Sequence, residues 1–167
     1  MDFTLEKWAE AYAPHVAEYA DNPKIACNLR DGFPSPYTLR DAEDFIRAFM
    51  AAEERLQCVR AIAAGGKAIG SIGVFLKDDV YRKSAEIGYW LGEPFWGKGI
   101  MSSAIRQISD YAFEQYDIVR IFAEPFADNA GSRKALEKAG FQLEGILQKS
   151  VYKNGVFHDS CMYARIR

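Results

Sequence analysis

Cysteine and histidine are scarce in this chain, which argues against a metal centre or a disulfide framework. The 167 residues include three cysteines and two histidines, which lie far apart as Cys27, Cys58, Cys161, His15 and His158. No pair has the short spacing of a zinc-binding motif. Three separated cysteines also lack the dense pattern of a disulfide-stabilised secreted domain. We therefore predict a protein without a bound metal ion.

Long apolar runs and an excess of one charge are also missing. No segment approaches the roughly 18 consecutive apolar residues of a membrane helix. The first ten residues, MDFTLEKWAE, lack the apolar core of a signal peptide. The formal net charge of −2 gives no electrostatic reason to bind nucleic acid or an anionic membrane. We therefore expect a cytoplasmic protein with neither of these partners, and the sequence carries no signal of its oligomeric state.

The residues that are present have the composition and patterning of a layered α+β domain. A length of 167 residues with 49% hydrophobic content suits one domain over residues 1–167. Hydrophobic periodicity and turn signals predict, in order, a strand near residues 3–5, a helix over about 12–19, a helix opened by Thr38 and Asp41, strands over 56–64, 67–76 and 84–91, a helix from Ile100, a strand over 118–124, a helix from Asp128 or Asn129 to Gly140, and a hairpin that turns at Asn154–Gly155.

The segment GEPFWGKGIMSSAI, residues 92–105, carries the clearest functional signal. It is close to the phosphate loop of nucleotide hydrolases, but that loop needs Ser or Thr after the lysine to bind magnesium, and Gly99 stands there. The predicted arrangement is a strand, then a turn with Gly97 and Gly99, then a helix from Ile100. The first turn of such a helix leaves backbone N–H groups without intrahelical partners. These donors and the positive end of the helix dipole suit a pyrophosphate. The alternative is a plain turn with a helix cap.

A second segment, NAGSRKALEKAGF at residues 129–141, starts the next predicted helix. Together the two segments resemble the GNAT acetyltransferases, whose pyrophosphate signature maps onto WGKGIM, residues 96–101. The combination of YW, PFWGKGIM, N-x-x-S and EKAGF is most similar to the RimJ/RimL type, the ribosomal-protein N-terminal acetyltransferases. Trp96 replaces the Gln or Arg of the superfamily signature, and Met101 replaces its Gly or Ala.

The resemblance implies a fold and a co-substrate. The implied fold is one mixed, strongly twisted sheet of about seven strands flanked by about four helices. Strands 84–91 and 118–124 splay apart in it and form the acetyl-CoA cleft. Acetyl-CoA is the implied co-substrate, with no metal. The positions implied to contact it are the backbone near Trp90 and Leu91 for pantetheine, and Trp96, Gly97, Lys98, Gly99, Ile100 and Met101 for the pyrophosphate.

The resemblance also implies direct attack of an amine on acetyl-CoA in a ternary complex. Glu124 is the first candidate for the catalytic base, because it stands five residues before Asn129, the spacing at which a relative in the superfamily carries its base. Glu86 competes with it, and an α-amine with a pKa near 8 needs only a modest base, which can act through water. A solvated strand-end carboxylate is the alternative interpretation of Glu124.

Two positions near the start of the helix after residue 128 have implied roles toward the thioester end of the co-substrate. Ser132 is expected to donate a hydrogen bond to the sulfur, because Leu136 occupies the position of the tyrosine that many GNAT enzymes use there. Asn129 is expected to bond pantetheine or the strand end. Helix capping is the alternative role for both residues.

The acceptor amine remains open between three hypotheses. The first is the α-amine of a protein N-terminus, and the second is a small amine such as a polyamine, an amino compound or an antibiotic. The third is a non-catalytic acyl-CoA-binding domain. Loop 28–38, the region around Tyr81 and the last hairpin are expected to determine the acceptor. His158 is interpreted as a strand-surface residue, with a place in the acceptor groove as the alternative.

Overall fold

Seven strands and five α-helices make up the computed structural model, which describes residues 1–167. The predicted order of elements is confirmed, and one short helix, α2, is additional. The strands are β1 Thr4–Glu6, β2 Gln57–Ala64, β3 Lys67–Leu76, β4 Ser84–Leu91, β5 Arg120–Ala123, β6 Gln142–Lys153 and β7 Val156–Ile166. The helices are α1 Ala13–Ala20, α2 Pro23–Ala26, α3 Leu39–Met50, α4 Ile100–Gln115 and α5 Ala130–Lys138.

Local signals set the ends of several elements. Thr38 and Asp41 form a capping box at the start of α3, with the Asp41 backbone N–H donating to Thr38 Oγ1 at 3.2 Å. Gly140 follows α5 with a φ of 91°, the left-handed conformation that ends many helices. Asn154 and Gly155 turn the last hairpin with φ values of 52° and 77°, as a two-residue turn of this kind requires.

The strands form one mixed sheet in the order β1-β2-β3-β4-β5-β7-β6. Strand β4 pairs with β5 in parallel, whereas β5 pairs with β7 and β6 with β7 in antiparallel fashion. This arrangement confirms the predicted seven-stranded mixed sheet and its parallel crossover through α4.

The pairing of β4 with β5 is short. It runs from Ser84 opposite Arg120 to Glu86 opposite Phe122, although β4 continues to Leu91. On its other side β5 keeps its register with β7 beyond its own end, because Ala123 lies opposite Tyr163 and Phe126 lies opposite Ser160. The segment after β5 therefore follows β7.

The chain groups into two compact units, each with its own buried side chains. The first comprises residues 1–73 and 89–100, and the second comprises residues 74–88 and 101–167. Buried residues of the first include Trp8, Val16, Ile46, Ile62 and Ile72. Those of the second include Ala104, Ile108, Ile121, Leu136 and Tyr163. None of the helices combines the length and the apolar character needed to cross a bilayer.

Candidate active site

The turn that leads into α4 exposes backbone, as the sequence predicts. Gly97 and Gly99 have φ values of 73° and 75°, in the left-handed region that glycine adopts without strain. A Cβ at either position would meet no atom within 4 Å, so the backbone conformation, and not crowding, is what calls for glycine. The residues from Trp96 to Gly99 are exposed, whereas Ile100 is buried and anchors the start of α4. An exposed turn at a helix N-terminus fits a pyrophosphate.

Trp96 contributes a bond that closes this turn. Its indole Nε1 donates to the backbone oxygen of Leu91 at 2.7 Å. The side chain thus joins the last residue of β4 to the residue before Gly97. The superfamily signature has Gln or Arg at this position, and sequence patterning did not reveal what tryptophan does there.

The end of β4 is held closely against β3. Gly92 N–H donates to the Ile69 oxygen at 2.8 Å. A Cβ on Gly70 would lie 2.5 Å from the backbone oxygen of Trp90, so only glycine fits there without a shift. Trp90 and Leu91 are both buried. The backbone predicted to contact pantetheine is therefore fixed by its neighbour strand.

A polar clamp ties α2 to the residues before the turn. Glu93 accepts from Asn22 Nδ2 at 2.7 Å and from Lys24 Nζ at 2.5 Å. The pKa of Glu93 is lowered, most by the hydrogen bond from Lys24 and next by the hydrogen bond from Asn22. Tyr19 also packs edge-on against Phe95, with ring centroids 5.2 Å apart. These contacts join residues far apart in sequence, and no local pattern predicted them.

The acceptor loop expected at residues 28–38 is attached to the same strand. Phe33 contacts both Trp90 and Tyr37, with ring centroids 6.1 Å and 5.0 Å apart. Tyr37 is buried, and its backbone N–H donates to Asp21 Oδ1 at 3.0 Å. Tyr81, the other loop aromatic considered for the acceptor region, is 68% exposed.

In the second unit, Asn129 and Ser132 lie together at the start of α5. Asn129 Oδ1 accepts from the Ser132 backbone N–H at 3.2 Å, so Asn129 caps the helix, which the sequence offered as its alternative role. Leu136, one turn further on, is fully buried and carries no group that can protonate a thiolate. The contacts of Asn129 and Ser132 with a co-substrate stay predictions.

The two carboxylates considered for the base have different surroundings. Glu86 accepts from Lys77 Nζ at 3.3 Å, and the same ammonium lies 5.5 Å from the Phe122 ring centroid. Glu124 follows β5 directly, is exposed, and has no hydrogen bond or ion pair. Glu124 is therefore exposed and unpaired, whereas Glu86 is paired with Lys77.

A pair that the sequence did not predict lies next to α5. His158 Nδ1 is 3.2 Å from Asp128 Oδ2, and the imidazole stacks on Phe126 with ring centroids 5.6 Å apart. His158 thus lies on a strand, as interpreted from the sequence, and its imidazole also has a carboxylate partner. Only the register between β7 and the segment after β5 reveals the pair, and no local spacing signals it.

Behind this region a buried tyrosine joins α5 to β7. Tyr163 donates to Glu137 Oε1 at 2.7 Å and accepts from Arg133 Nε at 3.2 Å, and Arg133 Nη1 also donates to the Ala127 oxygen at 3.0 Å. Burial is the main cause of the raised pKa of Tyr163. The network holds the segment before α5 against the helix itself. No group of three or more His, Cys, Asp or Glu side chains is placed to bind a metal.

Comparison with known proteins identifies the family. A family model described as an acetyltransferase (GNAT) domain matches residues 2–142. The probable N-acetyltransferase YjcK of Bacillus subtilis (strain 168) is 38% identical over 120 residues, which are 72% of this chain and 60% of YjcK. The chain therefore spans less than two thirds of the length of this curated relative.

Solved structures agree over nearly the whole chain. The coenzyme A complex of RimL, a ribosomal L7/L12 α-N-protein acetyltransferase, has a TM-score of 0.86 at 25% identity and covers 98% of this chain and 93% of its own. The microcin C7 self-immunity acetyltransferase MccE, in complex with acetyl-CoA and AMP, has a TM-score of 0.85 at 28% identity. The match covers 99% of this chain and 93% of the MccE chain. The chain therefore belongs to the GNAT family of N-acetyltransferases and is similar to its RimJ/RimL-type members.

Proposed function

We propose that the protein transfers the acetyl group of acetyl-CoA to the α-amine of a protein N-terminus, by direct attack in a ternary complex. The observation that carries the proposal is the exposed turn before α4, in which Gly97 and Gly99 adopt left-handed backbone conformations at a helix N-terminus, an arrangement that suits a pyrophosphate. RimL, which has the same fold and whose name describes an α-N-protein acetyltransferase, supports an N-terminal amine as the acceptor.

The co-substrate site uses backbone more than side chains. Backbone groups of Trp90 and Leu91 pair with pantetheine, and an N–H of this segment faces the thioester oxygen. Such a donor stabilises the charge that develops on the oxygen and can contribute several kcal/mol to catalysis. The pyrophosphate is held by the backbone of the turn from Trp96 to Met101, with Lys98 as the positive side chain.

The groups at the start of α5 serve the other end of the co-substrate. Ser132 donates a hydrogen bond to the sulfur as the C–S bond breaks, and the Asn129 amide bonds pantetheine. Asn129 Oδ1 already accepts from Ser132 N–H, so the cap places both side chains at one helix end. When bound, acetyl-CoA supplies an activated acyl group on a thiolate leaving group.

Glu124 is the proposed base because it is exposed and unpaired next to the end of β5. An α-amine with a pKa near 8 is about one-tenth neutral at pH 7, which costs only ~1 kcal/mol. A lysine side chain near 10.4 would cost roughly 4–5 kcal/mol by the same calculation. A single carboxylate acting directly or through water is therefore matched to an N-terminal amine better than to lysine.

A small-molecule amine is the second candidate acceptor. It is favoured by the likeness to MccE, a self-immunity acetyltransferase whose structure holds acetyl-CoA and AMP. The same co-substrate site and base would serve this reaction, so the two candidates differ only in the groups that recognise the acceptor. A direct comparison of acceptors is therefore needed.

The test is the release of free thiol from acetyl-CoA with a panel of acceptors. The panel contains peptides that begin with Ser, Ala, Gly and Met, a peptide with a blocked N-terminus and an internal lysine, spermidine, and an antibiotic with a primary amine. We expect turnover on the peptides with a free N-terminus and none on the blocked peptide. Turnover confined to spermidine or the antibiotic would transfer the proposal to the small-molecule class.

Glu124→Gln tests the base in the same assay. We expect kcat to fall about 100-fold, the lower end of the range for general-base catalysis. Glu114→Gln is the matched control, because Glu114 is also exposed but lies on α4. Acetyl-CoA binding by calorimetry without turnover on any acceptor would favour a non-catalytic acyl-CoA-binding domain.

A further inference from the structure

The pair formed by Asp128 and His158 has the geometry of an oriented proton acceptor. His158 Nδ1 lies 3.2 Å from Asp128 Oδ2. A carboxylate can only accept a hydrogen bond, so Nδ1 carries the proton and Nε2 carries the lone pair. An imidazole fixed in this tautomer by a carboxylate is the arrangement that activates histidine as a base in many enzymes.

Packing also fixes the plane of the imidazole. Phe126 is buried and stacks on the ring at an interplanar angle of 26°. On β6 the residue opposite His158 is Val151, which is apolar. The His158 side chain is 24% exposed and that of Asp128 is 66% exposed, so the ring is held in place but remains accessible to solvent.

Asp128 is the charged group that faces the ring. The neighbour of His158 on β7, Asp159, has its carboxylate engaged by the backbone N–H of Lys149 on β6 at 2.8 Å. From α5, Arg133 is directed to the Ala127 oxygen and to Tyr163. The imidazole has no other ion pair or hydrogen bond, so Asp128 sets its electrostatic surroundings.

The pair shares a face with Glu124. The segment after β5 keeps the β5–β7 register as far as Phe126 opposite Ser160. Alternate residues of an extended segment project to the same side, which places Glu124 and Phe126 on one face. Phe126 contacts His158, so the pair of Asp128 and His158 lies next to this face. Asp128 also directly precedes Asn129, the cap of α5.

We propose that His158 is a catalytic residue that accepts a proton from the acceptor ammonium, with Asp128 as its positioning residue. This inference rests on the proposed acetyl transfer and adds a second proton acceptor to it. An ammonium must lose one proton before its nitrogen can attack and a second one as the amide forms. One face of the protein offers one base for each of these protons.

The protons and electrons balance as follows. His158 Nε2 takes the first proton, which leaves the nitrogen lone pair free to form the C–N bond. Glu124 takes the second proton as that bond forms. The electron pair of the breaking C–S bond stays on sulfur, which receives a proton from Glu124 with Ser132 as its hydrogen-bond donor. His158 releases its proton to solvent, so each turnover yields one amide, one thiol and one free proton.

The experiment measures kcat between pH 5 and 9 with saturating acetyl-CoA and a peptide that begins with serine. Imidazole titrates in this range, so we expect wild-type kcat to decrease at acidic pH, which is the acidic limb of the profile, as one catalytic group becomes protonated. His158→Gln is expected to abolish this acidic limb and to lower kcat about 100-fold at pH 7.5. Asp128→Asn keeps an accepting oxygen but removes the charge beside the imidazole, so we expect the position of this acidic limb to differ from that of wild type. His15→Gln, at the other histidine, leaves the profile unchanged.

Rescue by free imidazole separates catalysis from folding. In His158→Ala, added imidazole is expected to restore kcat at least tenfold, which a structural role alone would not produce. A His158→Gln enzyme that folds and keeps the wild-type limb, or a His158→Ala enzyme without rescue, overturns the inference and leaves acetyl transfer intact. A wild-type enzyme that turns over no acceptor on the panel overturns the proposed function and this inference with it.

Discussion

At the scale of single residues, a few side-chain bonds hold the backbone that has to meet the co-substrate. The indole of Trp96 spans from the turn to the Leu91 oxygen, and Gly70 leaves room for the Trp90 oxygen. Both residues support the end of β4 without presenting a reactive group. Their effect is expected on co-substrate affinity, because a displaced donor loses the geometry of its bond to the ligand.

Replacing Trp96 with phenylalanine tests this role. The change removes the donor to Leu91 and keeps an aromatic ring. A hydrogen bond contributes about 0.5–1.5 kcal/mol, so we expect the Kd for acetyl-CoA to rise about twofold to tenfold in calorimetry. Trp8→Phe is the matched control, because the Trp8 indole nitrogen is buried without a hydrogen-bond partner. Equal affinity in Trp96→Phe and wild type would show that the bond does not shape the turn.

At the scale of helices and strands, the features predicted correctly are those that a short stretch determines. The capping box of Thr38 and Asp41 and the hairpin turn at Asn154–Gly155 need only neighbouring residues, and both were predicted. The four residues of α2, Pro23–Ala26, are too few to show a helical period, so this helix was missed.

The same reasoning separates the predicted from the unpredicted parts of the site. The turn with Gly97 and Gly99 was predicted, because glycine spacing next to a helix start is a local signal. The pair of Asp128 and His158 depends on how β7 aligns with the segment after β5. That register is a long-range property, since a hairpin turn fixes only the alignment of β6 with β7.

Asn129 at the start of α5 allows capping and co-substrate binding to be separated. Serine caps a helix about as well as asparagine but has no amide. We therefore expect Asn129→Ser to change the free energy of unfolding by less than about 0.5 kcal/mol and to raise the Kd for acetyl-CoA about tenfold. Urea unfolding and calorimetry on the same preparations measure the two effects.

The control for this prediction is the cap of α3. Thr38→Ala removes a capping side chain in the other unit and is expected to cost about 1 kcal/mol of stability without changing the Kd. If Asn129→Ser binds acetyl-CoA as tightly as wild type, Asn129 acts as a helix cap alone.

At the scale of the whole molecule, buried phenols tie the stability of the fold to alkaline pH. Burial, with a smaller contribution from Asp41, raises the pKa of Tyr37 to about 12. The folded state thus keeps this phenol protonated above pH 10, where tyrosines of the unfolded chain ionise. The stabilisation is complete below pH 10 and is lost as the pH rises toward 12.

Tyr37→Phe removes this titration and isolates its effect. A pKa difference of two units corresponds to roughly 2.7 kcal/mol, of which roughly 2 kcal/mol is lost by pH 11.5. We therefore expect wild type to lose roughly 2 kcal/mol more unfolding free energy than Tyr37→Phe between pH 9 and pH 11.5. Urea unfolding at the two pH values measures this difference. Tyr152→Phe is the control, because its ring is 64% exposed, and it should follow wild type. The contrary result is that Tyr37→Phe loses as much unfolding free energy as wild type between the two pH values. In that case other groups with raised pKa values, Cys58 and Tyr163 among them, account for the loss of stability at alkaline pH.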